Sequence, residues 1–269
     1  MFQFNRKKLI CGLAVICVFV VFLISTVSGA LAHDFWVNAV GQEDGIFRAD
    51  IGYGHDFPKA ETIAADRAHI FAPLRLVMPD GAVILDQVGE NFAYQKKIEL
   101  QKGSYAVIGD YRPTFWSNGP QGWAQKDRTQ RPDATYVEEA IMCAKTIFNV
   151  QGAADAGAIT KPIGQRIEIV PMTHPDMAKA EEKLLVKVWC DGQPARAVQV
   201  EATFDGFPDK KNKAFKGETD AEGVVAIFPL TPGYWLVKAK HAYDHPDKER
   251  ADEVVLVATL TFQVQESGK

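Results

Sequence analysis

Six histidines, His33, His55, His69, His174, His241 and His245, are the residues of this chain with the most chemistry to offer. Imidazole nitrogen suits nickel, copper, zinc and cobalt better than the hard, oxygen-seeking cations. None of the six sits in a His-Glu-x-x-His pair, and the chain has neither a Gly-x-Ser-x-Gly turn nor a phosphate-cradling glycine loop. Nothing nominates a nucleophile, so the expectation is a protein without catalytic activity. His33 stands out because it follows Ser28-Gly29-Ala30-Leu31-Ala32, small residues of the kind found at leader cleavage sites. A cut after Ala32 makes it the first residue, whose α-amino and ring nitrogens can chelate one ion together. A cut after Ala30 puts it third, where copper(II) or nickel(II) can be held in a square plane with amide nitrogens. Both cuts remain open.

His55 lies in Gly52-Tyr53-Gly54-His55-Asp56-Phe57-Pro58, a turn after an expected strand, with glycines that permit close backbone approach. Asp34 and Asp56 directly follow these two histidines and are candidate oxygen ligands, or partners that orient a ring. His241, at a strand end four residues before His245, is the third histidine candidate. Pro246 argues for a loop rather than a helix there. His69 and His174 are read as structural. The rival to a metal site is an aromatic, sugar-binding platform of Trp36, Trp116, Trp123 and Trp235.

The elements that position these residues read as short strands. Ile46–Tyr53, Ile70–Met78, Phe92–Leu100 and Ser104–Tyr111 are expected strands, the last two forming a hairpin across Lys102-Gly103. Residues 113–133 read as a long loop. Val137, Ile141, Ala144, Ile147 and Phe148 fall at helical spacing behind Asp133 as N-cap, which predicts one helix over 134–149. Gln151–Gly157 is small and flexible, and the domain boundary is placed there. Six further strands follow between Gln165 and Val264, separated by turn signals such as Asp191-Gly192 and Pro232-Gly233. The fold class expected is therefore all-β with one helix, in two β-sandwich-like domains over 33–157 and 158–269. The turns between Asp191 and Trp235 resemble prealbumin-like and carboxypeptidase-regulatory-like sandwich modules.

Residues 1–32 read as a signal peptide: Arg6, Lys7 and Lys8, then an apolar run from Leu9 to Val27, then the small residues. The run is also long enough to span a bilayer as an uncleaved anchor. Export to a periplasm-like compartment is the expectation, with no transmembrane helix beyond the leader. The formal net charge of −4 drops further once three basic leader residues are gone, which argues against nucleic acid as a partner. Cys143 and Cys190 then remain, free to pair in an oxidising compartment or to stay as buried thiols.

Taken together, several motifs resemble a known family. They are Ala32-His33-Asp34-Phe35-Trp36, the Gly54-His55-x-Phe57 turn, Ala144-Lys145, Ile167 to Pro171, and Asp191-Gly192-x-Pro194. Thr219-Asp220-x-x-Gly223, Pro232-Gly233-x-Trp235 and Ala258-Thr259-Leu260-Thr261-Phe262 complete the set. The chain is similar to exported components associated with nickel and cobalt ABC-type uptake, often labelled as a domain of unknown function. That resemblance implies binding of Ni²⁺ or Co²⁺, with Cu²⁺ a competitor, and presentation of the ion to a membrane permease. His33 and His55 occupy the family's histidine positions, and His241 matches more weakly. A non-catalytic envelope module for glycan or protein is the alternative.

Overall fold

A computed structural model describes residues 33–89, 92–152, 159–174, 178–209 and 212–267. The expected leader at 1–32 lies outside the described residues. In chain order the strands of the first half are β1 (Asp34–Glu43), β2 (Ile46–Gly54), β3 (Arg75–Met78), β4 (Gly81–Ile84), β5 (Asp86–Val88), β6 (Ala93–Lys97), β7 (Gly103–Gly119), β8 (Gly122–Ala124) and β9 (Tyr136–Val150). Those of the second half are β10 (Ile167–Pro171), β11 (Leu184–Cys190), β12 (Gln193–Pro194), β13 (Gln199–Phe204), β14 (Phe215–Glu218), β15 (Val224–Ile227), β16 (Gly233–Asp244) and β17 (Glu253–Val264). A 3₁₀ turn at Ala65–Ile70 is the one helical element among the described residues.

These strands form three sheets. A four-stranded sheet runs β1-β2-β6-β5, and another joins β10, β11, β12 and β15. Between them lies a nine-stranded sheet in the order β14-β13-β16-β17-β9-β7-β3-β4, with β8 beside β7. Ala140, Met142 and Ala144 of β9 share one core with Phe35, Val37 and Phe47 of the first sheet. Ile141, Cys143 and Ile147 share the other core with Ile167, Val186 and Val225 of the last. Successive side chains of a strand point to opposite faces, so the middle sheet is buried on both. The fold is a pair of β-sandwiches that share their central sheet.

Burial on both faces explains the largest departure from the sequence expectation. Residues 134–149 were expected as a helix, but Tyr136–Val150 is strand β9, antiparallel to β7 and parallel to β17. A strand covered on both sides loses the apolar–polar alternation that marks a half-buried one. Its apolar residues then match a helical stripe by coincidence. The β9–β17 pair also ties the two expected domains into one sheet, so the core does not divide at 151–157, and residues 33–269 form one compact unit.

Two local expectations also give way. Residues 92–111 do not form a hairpin, because β6 pairs with β2 and β5 while β7 pairs with β3 and β9. The chain crosses between sheets at Ile98 to Lys102, held by the Ile98 N–H to Gly45 O at 3.0 Å and the Leu100 N–H to Gln42 Oε1 at 2.9 Å. The expected loop at 113–133 is in its first part the far end of β7, which carries Trp116, followed by β8. Other motifs are turns with a mechanism. Asp220 Oδ1 accepts from the N–H groups of Glu222 and Val224, and Gly223 takes φ +78. Cys143 and Cys190 are free thiols. Among the described residues no helix is long and apolar enough to cross a membrane.

Candidate metal centre

His33 immediately precedes β1, an edge strand whose outer side is held by the central sheet. Thr259 Oγ1 donates to Phe35 O at 2.6 Å, and Thr261 Oγ1 donates to Val37 O at 2.8 Å. Those hydroxyls satisfy carbonyls that an edge strand would otherwise leave without partners. Tyr234 OH donates to Asn38 Oδ1 at 2.6 Å. At the start of the strand, Lys238 Nζ lies 2.9 Å from Asp34 Oδ1. Four side chains of β16 and β17 thus fix the strand one residue after His33.

His55 follows the partner strand. Asp34 of β1 sits opposite Gly54 and Trp36 opposite Gly52, so the register brings His33 and His55 to the same end of the ladder. Gly52 is required there and Gly54 sits in a tight space. A Cβ on Gly52 would lie 1.9 Å from the Trp36 ring, and one on Gly54 would meet the Lys59 carbonyl at 3.2 Å. Phe57 then packs edge-on against Trp36, ring centroids 5.5 Å apart, which anchors the turn after His55. The Glu61 N–H returns to Tyr53 O at 2.8 Å and closes this turn. Its carboxylate is brought back over the two histidines.

The result is a cluster of His33, His55 and Glu61 whose ligand atoms all lie within 4.8 Å of one another. Glu61 Oε2 is 3.0 Å from His33 Nε2, and Glu61 Oε1 is 2.7 Å from His55 Nδ1. The His55 main-chain N–H also donates to Oε1 at 3.0 Å. His33 stacks flat on Tyr53, centroids 4.5 Å apart at 6°, and its ring lies 4.0 Å from that of His55. The side chains of His33, His55 and Glu61 are 24%, 37% and 47% exposed, so an ion could reach them from solvent.

The bonds from His55 and then His33 hold the Glu61 carboxyl down at about 2, so it is ionised at neutral pH. His33 moves down as well: burial outweighs the Glu61 bond, and the neighbouring His55 adds to the fall. The two partners are consistent. An exposed carboxylate gains from every N–H aimed at it, whereas a half-buried ring against Tyr53 resists charge. Neutral imidazole beside ionised carboxylate is the state that a transition-metal ion requires of its ligands.

The other expected ligands are elsewhere. Asp34 is buried and ion-paired to Lys238, with Lys213 Nζ at 3.9 Å, and is therefore a strand anchor and not a ligand. Asp56 turns its main chain, its carbonyl accepting from the Lys59 N–H at 2.6 Å, and its carboxylate is outside the cluster. His241 lies in β16 on the face of Val237 and Ala239, toward the last sheet, while Lys238 on the opposite face meets Asp34. The thickness of the central sheet separates it from His33. His174 is buried against Ser104 Oγ at 3.1 Å, and His245 lies 3.4 Å from Glu139. Trp36 and Trp235 are wholly buried, so the four tryptophans do not make a surface platform. Glu61, which sequence reasoning missed, enters through the closing hydrogen bond of a turn. No periodicity signals it.

A double β-sandwich built on one shared sheet, with a two-histidine, one-carboxylate cluster at the end of its first strand pair, defines the class of protein. The chain belongs to DUF4198, a domain of unknown function, matched over residues 30–243. No curated protein matches the chain. Among solved structures, the D0-D1 domain of intimin is similar at 17% identity, covering 85% of this chain and 97% of that one with a TM-score of 0.21. A DUF3823 family protein from Bacteroides uniformis gives 12% identity, 79% and 96% coverage and a TM-score of 0.23. The fibronectin(III)-like modules of Clostridium thermocellum CbhA give 10%, 86%, 94% and 0.20. Superpositions this loose carry no residue correspondence to the cluster.

Proposed function

We propose that this protein binds a divalent transition-metal ion, nickel or cobalt, outside the cytoplasm and delivers it to a membrane permease. The observation that carries the reading is the convergence of His33 and Glu61, 28 residues apart in the chain, on His55. Two imidazoles and a carboxylate match first-row divalent ions and leave coordination positions open for handover. Delivery to a permease, the metal's identity and the compartment follow from the resemblance of the histidine motifs to uptake components. Copper is expected to bind most tightly in the tube, because affinity rises from cobalt through nickel to copper whatever the physiological cargo.

The test is calorimetry of the exported protein with nickel, cobalt and copper chloride, beside His55→Ala. Submicromolar binding of one equivalent, weakened by His55→Ala, supports the reading. A protein that takes up none of the three ions overturns it.

A further inference from the structure

The cluster contains a preference between the two ring nitrogens of His33. A glutamate carboxylate at neutral pH can only accept, so the nitrogen facing it, Nε2 at 3.0 Å, carries the hydrogen. The lone pair of this neutral ring is then on Nδ1, the nitrogen nearer the main chain. Among the described residues Nδ1 of His33 makes no hydrogen bond. The stack on Tyr53 fixes the plane of the ring. The main-chain nitrogen of His33 stands just outside the ladder, because the pairing of β1 with β2 begins at Asp34 with Gly54. It too makes no hydrogen bond among the described residues.

We propose that proteolytic removal of the residues before His33 completes the metal site, the freed α-amine and Nδ1 of His33 chelating the ion while Glu61 orients the ring through Nε2. The inference rests on the metal-binding reading and deepens it: leader cleavage becomes the event that switches binding on. An α-amine and Nδ1 on one histidine close a six-membered chelate ring, a strong motif for copper and nickel with their preference for nitrogen. In the uncut chain the same nitrogen is an amide, far poorer as a donor. In this arrangement Glu61 leaves the ligand set of the three-residue cluster for a positioning role, the carboxylate behind a metal-bound histidine, and the α-amine takes its place as donor. The amine gives up its proton on binding, so uptake by the mature form releases more acid than ring coordination alone.

The experiment compares two forms exported with the native leader, one unaltered and one with Gly-Ser-Gly-Ser inserted between Ala32 and His33. Intact mass gives each mature N-terminus, and calorimetry with nickel and copper chloride gives each affinity. The unaltered form is expected to begin at His33 and to bind at least about tenfold more tightly than the extended one. Glu61→Gln in the unaltered form should weaken binding by about 10- to 100-fold, as loss of an orienting partner does.

Equal affinity in the two forms overturns the inference and leaves the metal-binding reading in place. A mature chain that begins at Leu31 overturns it as well. Absence of binding in both forms removes the metal-binding reading along with it.

Discussion

The Trp36 indole lies across Gly52, so close that a Cβ at position 52 would be 1.9 Å from the ring. This contact joins the two histidine motifs, since Trp36 sits three residues after His33 and Gly52 three before His55. Gly52→Ala should therefore force the indole aside and displace the strand pair that carries both histidines. Overpacking of this kind costs about 1–3 kcal/mol, read as a lowered midpoint in urea. Under the proposed function metal affinity should fall with it, and an unaltered unfolding midpoint would contradict the packing described.

Lys238 is the larger part of Asp34's neutralisation, at 2.9 Å against 3.9 Å for Lys213. Replacing it by Met leaves a mostly buried carboxylate with one distant cation. Removing one partner of a buried pair costs about 3–5 kcal/mol, and partial exposure here brings the expectation to the lower end. Burial alone would lower the Lys238 pKa, but Asp34 and then Glu201 more than reverse that, so the folded value is raised. The stabilisation is thus fully present below the unfolded lysine pKa of about 10.4 and disappears as pH rises through the folded one. Unfolding curves for Lys238→Met and the parent should converge in strong base, and curves that stay parallel would refute the assignment.

Thr259 and Thr261 hold the outer edge of β1, and Thr→Val at either site keeps the shape while deleting the donor. The carbonyl left behind is buried and loses its partner, a cost of about 1–3 kcal/mol each. Hydrogen exchange should localise the effect to residues 34–40. Uniform loss of protection across β9 and β17 would argue against it.

Lys145 and Glu168, each 1% exposed, meet at 2.7 Å between the central and last sheets. Glu168 also accepts from the N–H groups of Ile163 and Gly164, which brings the 163–165 segment over the pair. Lys145→Met alone should cost about 3–5 kcal/mol by stranding the carboxylate, and adding Glu168→Gln should recover part of that. A double-mutant cycle in urea measures the difference, and a double substitution as costly as the sum of the singles speaks against coupling.

Protonation of the metal-free cluster has a defined order. The folded His33 pKa is below the free value of 6.5, so the stabilisation it brings is present above about 6.5 and is lost as pH falls through the folded value. Glu61, held at about 2, keeps its contribution above the ordinary carboxylate range and loses it only as pH approaches 2. Histidine ring NMR should show a His33 midpoint below 6.5. Glu61→Gln should lower that midpoint further, since Glu61 favours the charged ring. A midpoint that rises in this variant would falsify the electrostatic account.

What could be read from the sequence follows physical lines. Six of the eight strands of the second half, all but β12 and β14, and β2 carry turn residues at their ends and were legible within a few residues. Strand β9 was not, because two apolar layers erase its alternation. His33 and His55, singled out from small-residue and glycine context, are brought together by the register of β1 and β2. Asp34 was misassigned because its partner, Lys238, is 204 positions away and no local pattern links them. His241 failed for a related reason: proximity to the strand end said nothing about which face of a doubly covered sheet it occupies. Glu61 depends on one main-chain hydrogen bond to Tyr53, which composition does not encode.

The threonine clamps on β1 have a consequence for the order of events in biogenesis. The carbonyls of Phe35 and Val37 wait for hydroxyls 224 residues further along, on the last strand of the fold. A chain synthesised from its N-terminus presents His33 first and Thr259 and Thr261 almost last. The strand beside the first histidine therefore stays loose until nearly the whole chain has been made and β17 has docked between β16 and β9. The cluster of His33, His55 and Glu61 becomes rigid only in a finished molecule, and a truncated chain would expose the same histidines without that geometry.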